Sequence, residues 1–364
     1  MRLLRTLPGK VAAGSTLAAL ALLVTVNRAG GQQTAAAPTL GQLVGQRLVI
    51  GFSGTSANPA LLARIRAGQV GGVILFSSNI SSPAQLQALT ASLQAAATAG
   101  GQPRLMIATD QEGGLVKRIP WAPPNRSAQE LGTLPTAQVV QSGRETAVAL
   151  AKDGVNVDLA PVSDVPAGPQ DFIEQQHRAF SESRFTVALD AAGFAGGLEQ
   201  DGVWPAMKHF PGLGLATVST DQALVRITAP RATITKGLIP YTTAFNRKLH
   251  PLVMLSTAVY PALDWRAAAW SPPIIGPLLR GKLHFGGVTI TDSLDSAAAV
   301  RRDTVPSLAL RSARAGADML LVTGSQATSQ AVFKVLLAAA RSGALPMSNL
   351  TTSYNRILGL KARL

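Results

Sequence analysis

Eight short apolar runs, each bounded by turn-forming residues, recur along this chain and limit its fold more than any single motif does. They span residues 48–52, 70–76, 105–109, 155–160, 203–207, 252–255, 287–290 and 319–322. Their apolar character is continuous rather than alternating, the pattern of parallel strands covered on both faces. Between them lie segments of helical composition and period, among them 83–97, 136–152, 186–200 and 295–315. Eight strands alternating with helices predict a single-domain α/β fold, a (β/α)8 TIM-like barrel with some long loops. A doubly wound open sheet is the competing architecture. The glycine-rich turn with which such sheets hold nucleotides is missing: Gly51-Phe52-Ser53-Gly54 lacks the GxGxxG spacing, and no GxxxxGK[ST] occurs.

A 47% hydrophobic and 14% charged composition supplies a large core. The amino terminus has a different character. Arg2, Arg5 and Lys10 precede an apolar run over 11–26 and a small, polar stretch over 28–38, the order of a secretory signal, with Ala35-Ala36-Ala37 offering a cleavage site. Residues 1–37 are therefore expected to be a signal peptide or an uncleaved anchor that attaches the protein to a membrane. Residues 38–364 are expected to be one exported domain, secreted, wall-bound or membrane-anchored.

There is no cysteine, and His177, His209, His250 and His284 include no HExxH pair, so no metal and no cofactor are expected. The formal charge is +14. The leader holds four cations and no acid, so the rest of the chain carries +10 and suits anionic wall polymers or lipid surfaces as partners. The basic residues are scattered, only 5% of residues are aromatic, and no RNP-like or helix-turn-helix signature appears, which argues against nucleic acid.

A barrel builds its active site from the loops at the carboxyl ends of its strands. The third run leads into Asp110-Gln111-Glu112-Gly113-Gly114, then Leu115, Val116, Lys117 and Arg118. The fourth leads into Asp158-Leu159-Ala160-Pro161-Val162-Ser163-Asp164-Val165 and a long loop with Arg178-Ala179-Phe180. The fifth ends in Lys208-His209, and the seventh in Thr291-Asp292-Ser293-Leu294. Carboxylates and cations thus gather at one rim, which predicts a pocket for a polar ligand. Simpler roles stand beside this for each residue: Asp292 capping a helix that starts near Leu294, Asp110 capping likewise, or Lys208 paired with Asp158 in a buried bridge.

These motifs, in this order, resemble glycoside hydrolase family 3, in its single-domain β-N-acetylhexosaminidase branch. Residues 110–118 are similar to DQEGGRVxR, with Leu115 in place of the arginine. Residues 158–165 are similar to DLAPVxDV, Arg178-Ala179-Phe180 to RSF, Lys208 to Gly212 to KHFPG, and Asp292 to the aspartate of SDxL. The resemblance implies a retaining hydrolase that releases terminal β-linked N-acetylhexosamine, with N-acetylglucosamine from cell-wall peptidoglycan fragments as the carbohydrate substrate. Asp292 would be the nucleophile, expected to keep a low pKa beside lysine and arginine. Asp110, Arg118, Arg178, Lys208 and His209 would bind the sugar.

The resemblance breaks at the proton donor. The branch continues KHFPGHG and then supplies an Asp-x-His dyad, whereas this chain has Leu213, Ser219 and Asp221 at those positions. Asp221 is the catalytic candidate for the acid, with Asp171 or Glu174 of the long loop as alternatives. An impaired, exported sugar-binding protein and a β-glucosidase-like hydrolase are the other functions left open.

Overall fold

The computed structural model describes residues 37–300 and 303–364. The expected signal peptide or anchor lies outside the described residues apart from Ala37. No helix among the described residues is long and apolar enough to cross a membrane.

Eight parallel strands form the centre: β1 Leu48–Ile50, β2 Gly72–Leu75, β3 Met106–Thr109, β4 Val157–Asp158, β5 Trp204–Phe210, β6 Leu252–Leu255, β7 Thr289–Thr291 and β8 Leu320–Val322. Each pairs with its neighbour in sequence, and β1 also pairs with β8, Leu48 opposite Leu320 and Ile50 opposite Val322. The parallel bridge between Ile290 and Met319 joins β7 to β8 and closes the ring. The sheet is a (β/α)8 barrel rather than the open doubly wound alternative.

The continuous apolar runs now have a physical cause. Successive side chains of a strand point to opposite faces. Val49, Ile74, Met106, Ala108, Val157, Ala206, Met254, Ile290 and Leu321 belong to one buried cluster, while Leu48, Ile50, Val73, Leu75, Ile107, Val253 and Leu320 join the larger cluster shared with the helices. Both faces of the strands are largely buried in apolar clusters, which is why the runs read as continuous.

Helices Pro83–Ala99, Thr136–Lys152 and Arg184–Gln200 cover the expected segments. The expected helix over 295–315 is instead described as two pieces, Ala297–Val300 and Val305–Ala315. Thr304 starts the second piece, accepting the Ser307 N–H on its side chain, with Pro306 in the first turn. The chain thus restarts helix there rather than continuing it.

Strand β5 exceeds its apolar run. It continues through Lys208, His209 and Phe210, because Lys208 bridges Val162 and the Ser256 N–H donates to the Phe210 carbonyl at 2.9 Å. Two polar side chains are thereby carried on strand backbone rather than on a loop.

Candidate active site

At the carboxyl ends of the strands a cavity of about 560 Å³ is lined by Asp110, Glu112, Arg118, Arg178, Lys208, His209, Asp221 and Asp292, over an apolar floor of Ile74, Leu159, Met254 and Leu321. Asp110, Arg118, Arg178, Lys208, His209, Asp221 and Asp292, named from the sequence, are brought to this one space, whereas the alternative acids Asp171 and Glu174 are not. A more apolar cavity of about 370 Å³ behind Pro211–Leu215 has Glu182 as its one carboxylate. The paired carboxylates are in the larger, polar one.

The loop after β3 folds back as a short hairpin that aims Asp110 and Glu112 inward. Gly113 and Gly114 both have positive φ, 93° and 54°, and a Cβ on Gly113 would sit 2.2 Å from the Arg126 carbonyl oxygen. Only glycine fits the turn. Leu115, where the sequence motif has arginine, is exposed at the tip.

Glu112 organises the cations. Its carboxylate accepts Arg178 Nε at 2.7 Å and Nη2 at 2.8 Å, a bidentate pair, and lies 2.7 Å from Lys208 Nζ. Lys208 Nζ also donates to Asp110 Oδ1 at 2.6 Å. Lys208 therefore pairs with Asp110 and Glu112, not with Asp158 as the simpler structural role had it. Those two acceptors come from one loop whose alternate residues face the same way, whereas Asp158 is engaged by the Gln111 N–H. Burial pushes the Glu112 carboxyl up, but Arg178 and Lys208 outweigh it and hold it well below the usual carboxylate value. Burial also opposes the Lys208 ammonium, yet Asp110 and Glu112 raise it above the ordinary lysine value.

His209 is fixed from behind. Its Nδ1 lies 2.7 Å from Asp164 Oδ2, and its backbone N–H donates to Asp164 Oδ1 at 3.1 Å. The other ring nitrogen is left for the cavity. The same Asp164 oxygen accepts the Leu213 N–H at 2.6 Å, tying the following loop to the same anchor. Arg118 lines the cavity with its guanidinium 6.0 Å from the Phe76 ring centre, and among the described residues it makes no ion pair.

Asp292 is half-buried at the end of β7, its Oδ1 accepting the Ser293 N–H at 2.7 Å. It caps no helix, since the next begins at Ala297. Its carboxyl does not keep the low pKa expected from nearby cations. Burial raises it; His209 and Lys208 pull it down, and Asp221 adds a push in the same direction as burial. Asp221 is exposed in the loop after β5, its N–H donating to Ser219 Oγ at 3.1 Å. The two alternatives to it are committed elsewhere. Asp171 Oδ2 accepts the Ala167 and Gly168 N–H groups, and Glu174 accepts Gln129 Nε2. Neither lines the cavity.

Two residues of this site were quoted within motifs but given no role by the sequence. Glu112 could have been found from its spacing, two residues beyond Asp110 on extended chain and therefore on the same side. Asp164 had no such signal.

A polar, carboxylate-rich cavity at the carboxyl rim of a closed barrel is the setting in which the comparisons with known proteins fall. Residues 39–360 match the glycosyl hydrolase family 3 N terminal domain. The chain belongs to glycosyl hydrolase family 3. Among its relatives, an uncharacterized secreted glycosyl hydrolase of Arthroderma benhamiae is 34% identical over 329 residues, covering 88% of this chain and 92% of that protein. The β-N-acetylhexosaminidase of Beutenbergia cavernae superposes with a TM-score of 0.82 at 32% identity, over 90% of this chain and 99% of that one. The family 3 β-N-acetylglucosaminidase of Paenibacillus sp. str. FPU-7 gives 0.84 at 31% identity, and this chain covers 90% of itself but 63% of that longer protein.

Proposed function

We propose that this family 3 protein is a retaining glycosidase that releases terminal β-linked N-acetylhexosamine. The observation that carries this is one cavity holding half-buried Asp292, the Asp110–Lys208–Glu112–Arg178 ion cluster and the exposed carboxyl of Asp221. Asp110 accepts from sugar hydroxyls, while Arg118, Arg178, Lys208 and His209 donate to the sugar bound deepest. Asp292 attacks the anomeric carbon as the glycosidic bond breaks, and Asp221 gives its proton to the departing oxygen. In the second step Asp221 takes a proton from water, which attacks the anomeric carbon and frees Asp292. The substrate class follows the activities for which the Beutenbergia and Paenibacillus proteins are named.

Residues 1–37 direct export, consistent with a relative described as secreted. A basic exported protein meets anionic wall material, so cell-wall fragments bearing N-acetylglucosamine are the natural substrate. The test is turnover of an aryl N-acetyl-β-glucosaminide by the purified protein beside an Asp292→Ala control. Equal rates in the two would overturn the hydrolase. Saturable binding of N-acetylglucosamine without turnover, read by calorimetry, would assign instead a sugar-binding protein.

A further inference from the structure

Asp158 is fully buried at the end of β4, next to the ion cluster, and the chemistry above gives it no task. Its Oδ1 accepts the Gln111 N–H at 2.9 Å, at the root of the loop that carries Asp110 and Glu112. Its Oδ2 has no hydrogen-bond partner. An ionised carboxylate only accepts, and a buried acceptor with no donor in reach is costly. The charges that act on Asp158 are one cation, Lys208 on β5, against two anions, Asp110 and Glu112 of the loop after β3. Lys208 is itself already held by both of those anions.

We propose that Asp158 is a positioning residue that works as the neutral acid, holding the Asp110–Glu112 loop by its backbone, and that its ionisation draws Lys208 away from Asp110 and loosens the sugar. Protonation removes the charge that leaves Oδ2 a costly unsatisfied acceptor and takes one carboxylate out of a site that already holds Asp110 and Glu112. It also leaves Lys208 wholly to Asp110 and Glu112. Burial raises the Asp158 carboxyl to about 8, with the Gln111 N–H and Lys208 opposing and Asp110 and Glu112 adding to the rise. The neutral acid is therefore the form present at neutral pH.

The role rests on sugar binding by Lys208 and Asp110 as proposed above, so the experiment has one arm that depends on it and one that does not. In the first, KM for an aryl N-acetyl-β-glucosaminide is measured from about pH 6.5 to about pH 9; one unit above the titration only about a tenth of the protein stays neutral, so KM rises about tenfold while kcat changes less. Asp158→Asn, which cannot ionise, keeps its KM within about twofold over the same range. The same alkaline rise in Asp158→Asn, or a flat wild-type KM, would overturn the proposal.

The second arm needs neither turnover nor a variant that folds. Infrared titration of the wild-type protein should show a protonated-carboxyl carbonyl band at neutral pH that disappears near pH 8. Absence of any such band at neutral pH would overturn the proposal. The band together with no turnover would instead count against the glycosidase.

Discussion

Glu112→Gln is a nearly isosteric change that tests whether the site is organised as described. The carboxylate accepts two charge-assisted bonds from Arg178, is ion-paired with Lys208 at 2.7 Å, and is itself buried. The amide keeps one oxygen and turns an –NH2 toward cationic donors, so one arm of the Arg178 fork loses its acceptor. Lys208 retains Asp110 at 2.6 Å, which limits its share of the loss. Arg178 has Glu112 as its ion-pair partner among the described residues. Breaking one side of a buried pair costs about 3–5 kcal/mol, and the lower end applies here because Lys208 is still matched. The expected loss is therefore about 3 kcal/mol in denaturant unfolding. Displacement of two sugar-binding cations by a fraction of an ångström to an ångström should cost up to about 10²-fold in kcat/KM. A double-mutant cycle with Arg178→Gln, read in unfolding free energy, assigns the stability effect, since the second substitution should add little to that loss once the pair is gone. A Glu112→Gln protein within about 0.5 kcal/mol and twofold in kcat/KM of wild type would refute the network, because a buried bidentate pair cannot be that weakly felt.

Four further outcomes follow from named contacts. Asp221→Asn should slow poor-leaving-group substrates by about 10²–10⁴ and aryl glycosides far less, and equal slowing of both counts against Asp221 as proton donor. Asp292, as the proposed nucleophile, must be ionised to attack, and burial raises its carboxyl above the ordinary aspartate value, so the acid limb of kcat/KM should lie above that value; a limb at or below it contradicts the raised carboxyl. Lys361 Nζ is buried on Gln46 Oε1 and the Gly71 carbonyl, and burial lowers its ammonium to about 7. Between there and 10.5 the unfolded chain binds the extra proton, so stability rises with pH, by about 2 kcal/mol from pH 7 to pH 9 relative to Lys361→Met; an identical pH dependence in both proteins rejects this. Gly113→Ala, at φ 93° and 2.2 Å from a carbonyl oxygen, should cost at least about 1–2 kcal/mol and raise KM by tilting the Asp110–Glu112 hairpin; unaltered stability and KM would show that the turn tolerates a side chain.

The barrel was legible in the sequence because burial on both strand faces leaves a mark that needs no partner to be read: eight runs without polar alternation. Asp110, Arg118, Arg178, Lys208, His209 and Asp292 stood out because each follows an apolar run or sits in the loop beyond one; their roles, and Asp221 as the candidate acid, came from the family resemblance. Their partnerships were less visible. Glu112 and Arg178 are 66 residues apart, and Asp164 and His209 are 45 apart, so each pairing depends on how three-dimensional closure aims the loops. The Asp292 carboxyl was misjudged for a related reason. Nearby cations are visible in a motif, but the loss of water around the carboxyl is set by the whole barrel mouth, and burial is the larger effect. The break before Val305 depends on a local contest between Thr304 capping and helix continuation that periodicity does not register.

The two N–H groups that share Asp164 Oδ1, from His209 and Leu213, divide the segment after β5 into parts with separate fates. Gly214 reinforces the division, since a Cβ there would lie 2.2 Å from the Val165 carbonyl oxygen. Upstream of this clasp lie Lys208 and His209, the two residues of the segment proposed to hold the sugar. Downstream, the Ala216 carbonyl accepts the Phe172 N–H at 2.7 Å and Ser219 and Thr220 are buried, so exposed Asp221 is presented from a segment with anchors of its own. Under the roles proposed above, the clasp is thus the boundary between the residues that hold the sugar and the one that delivers the proton.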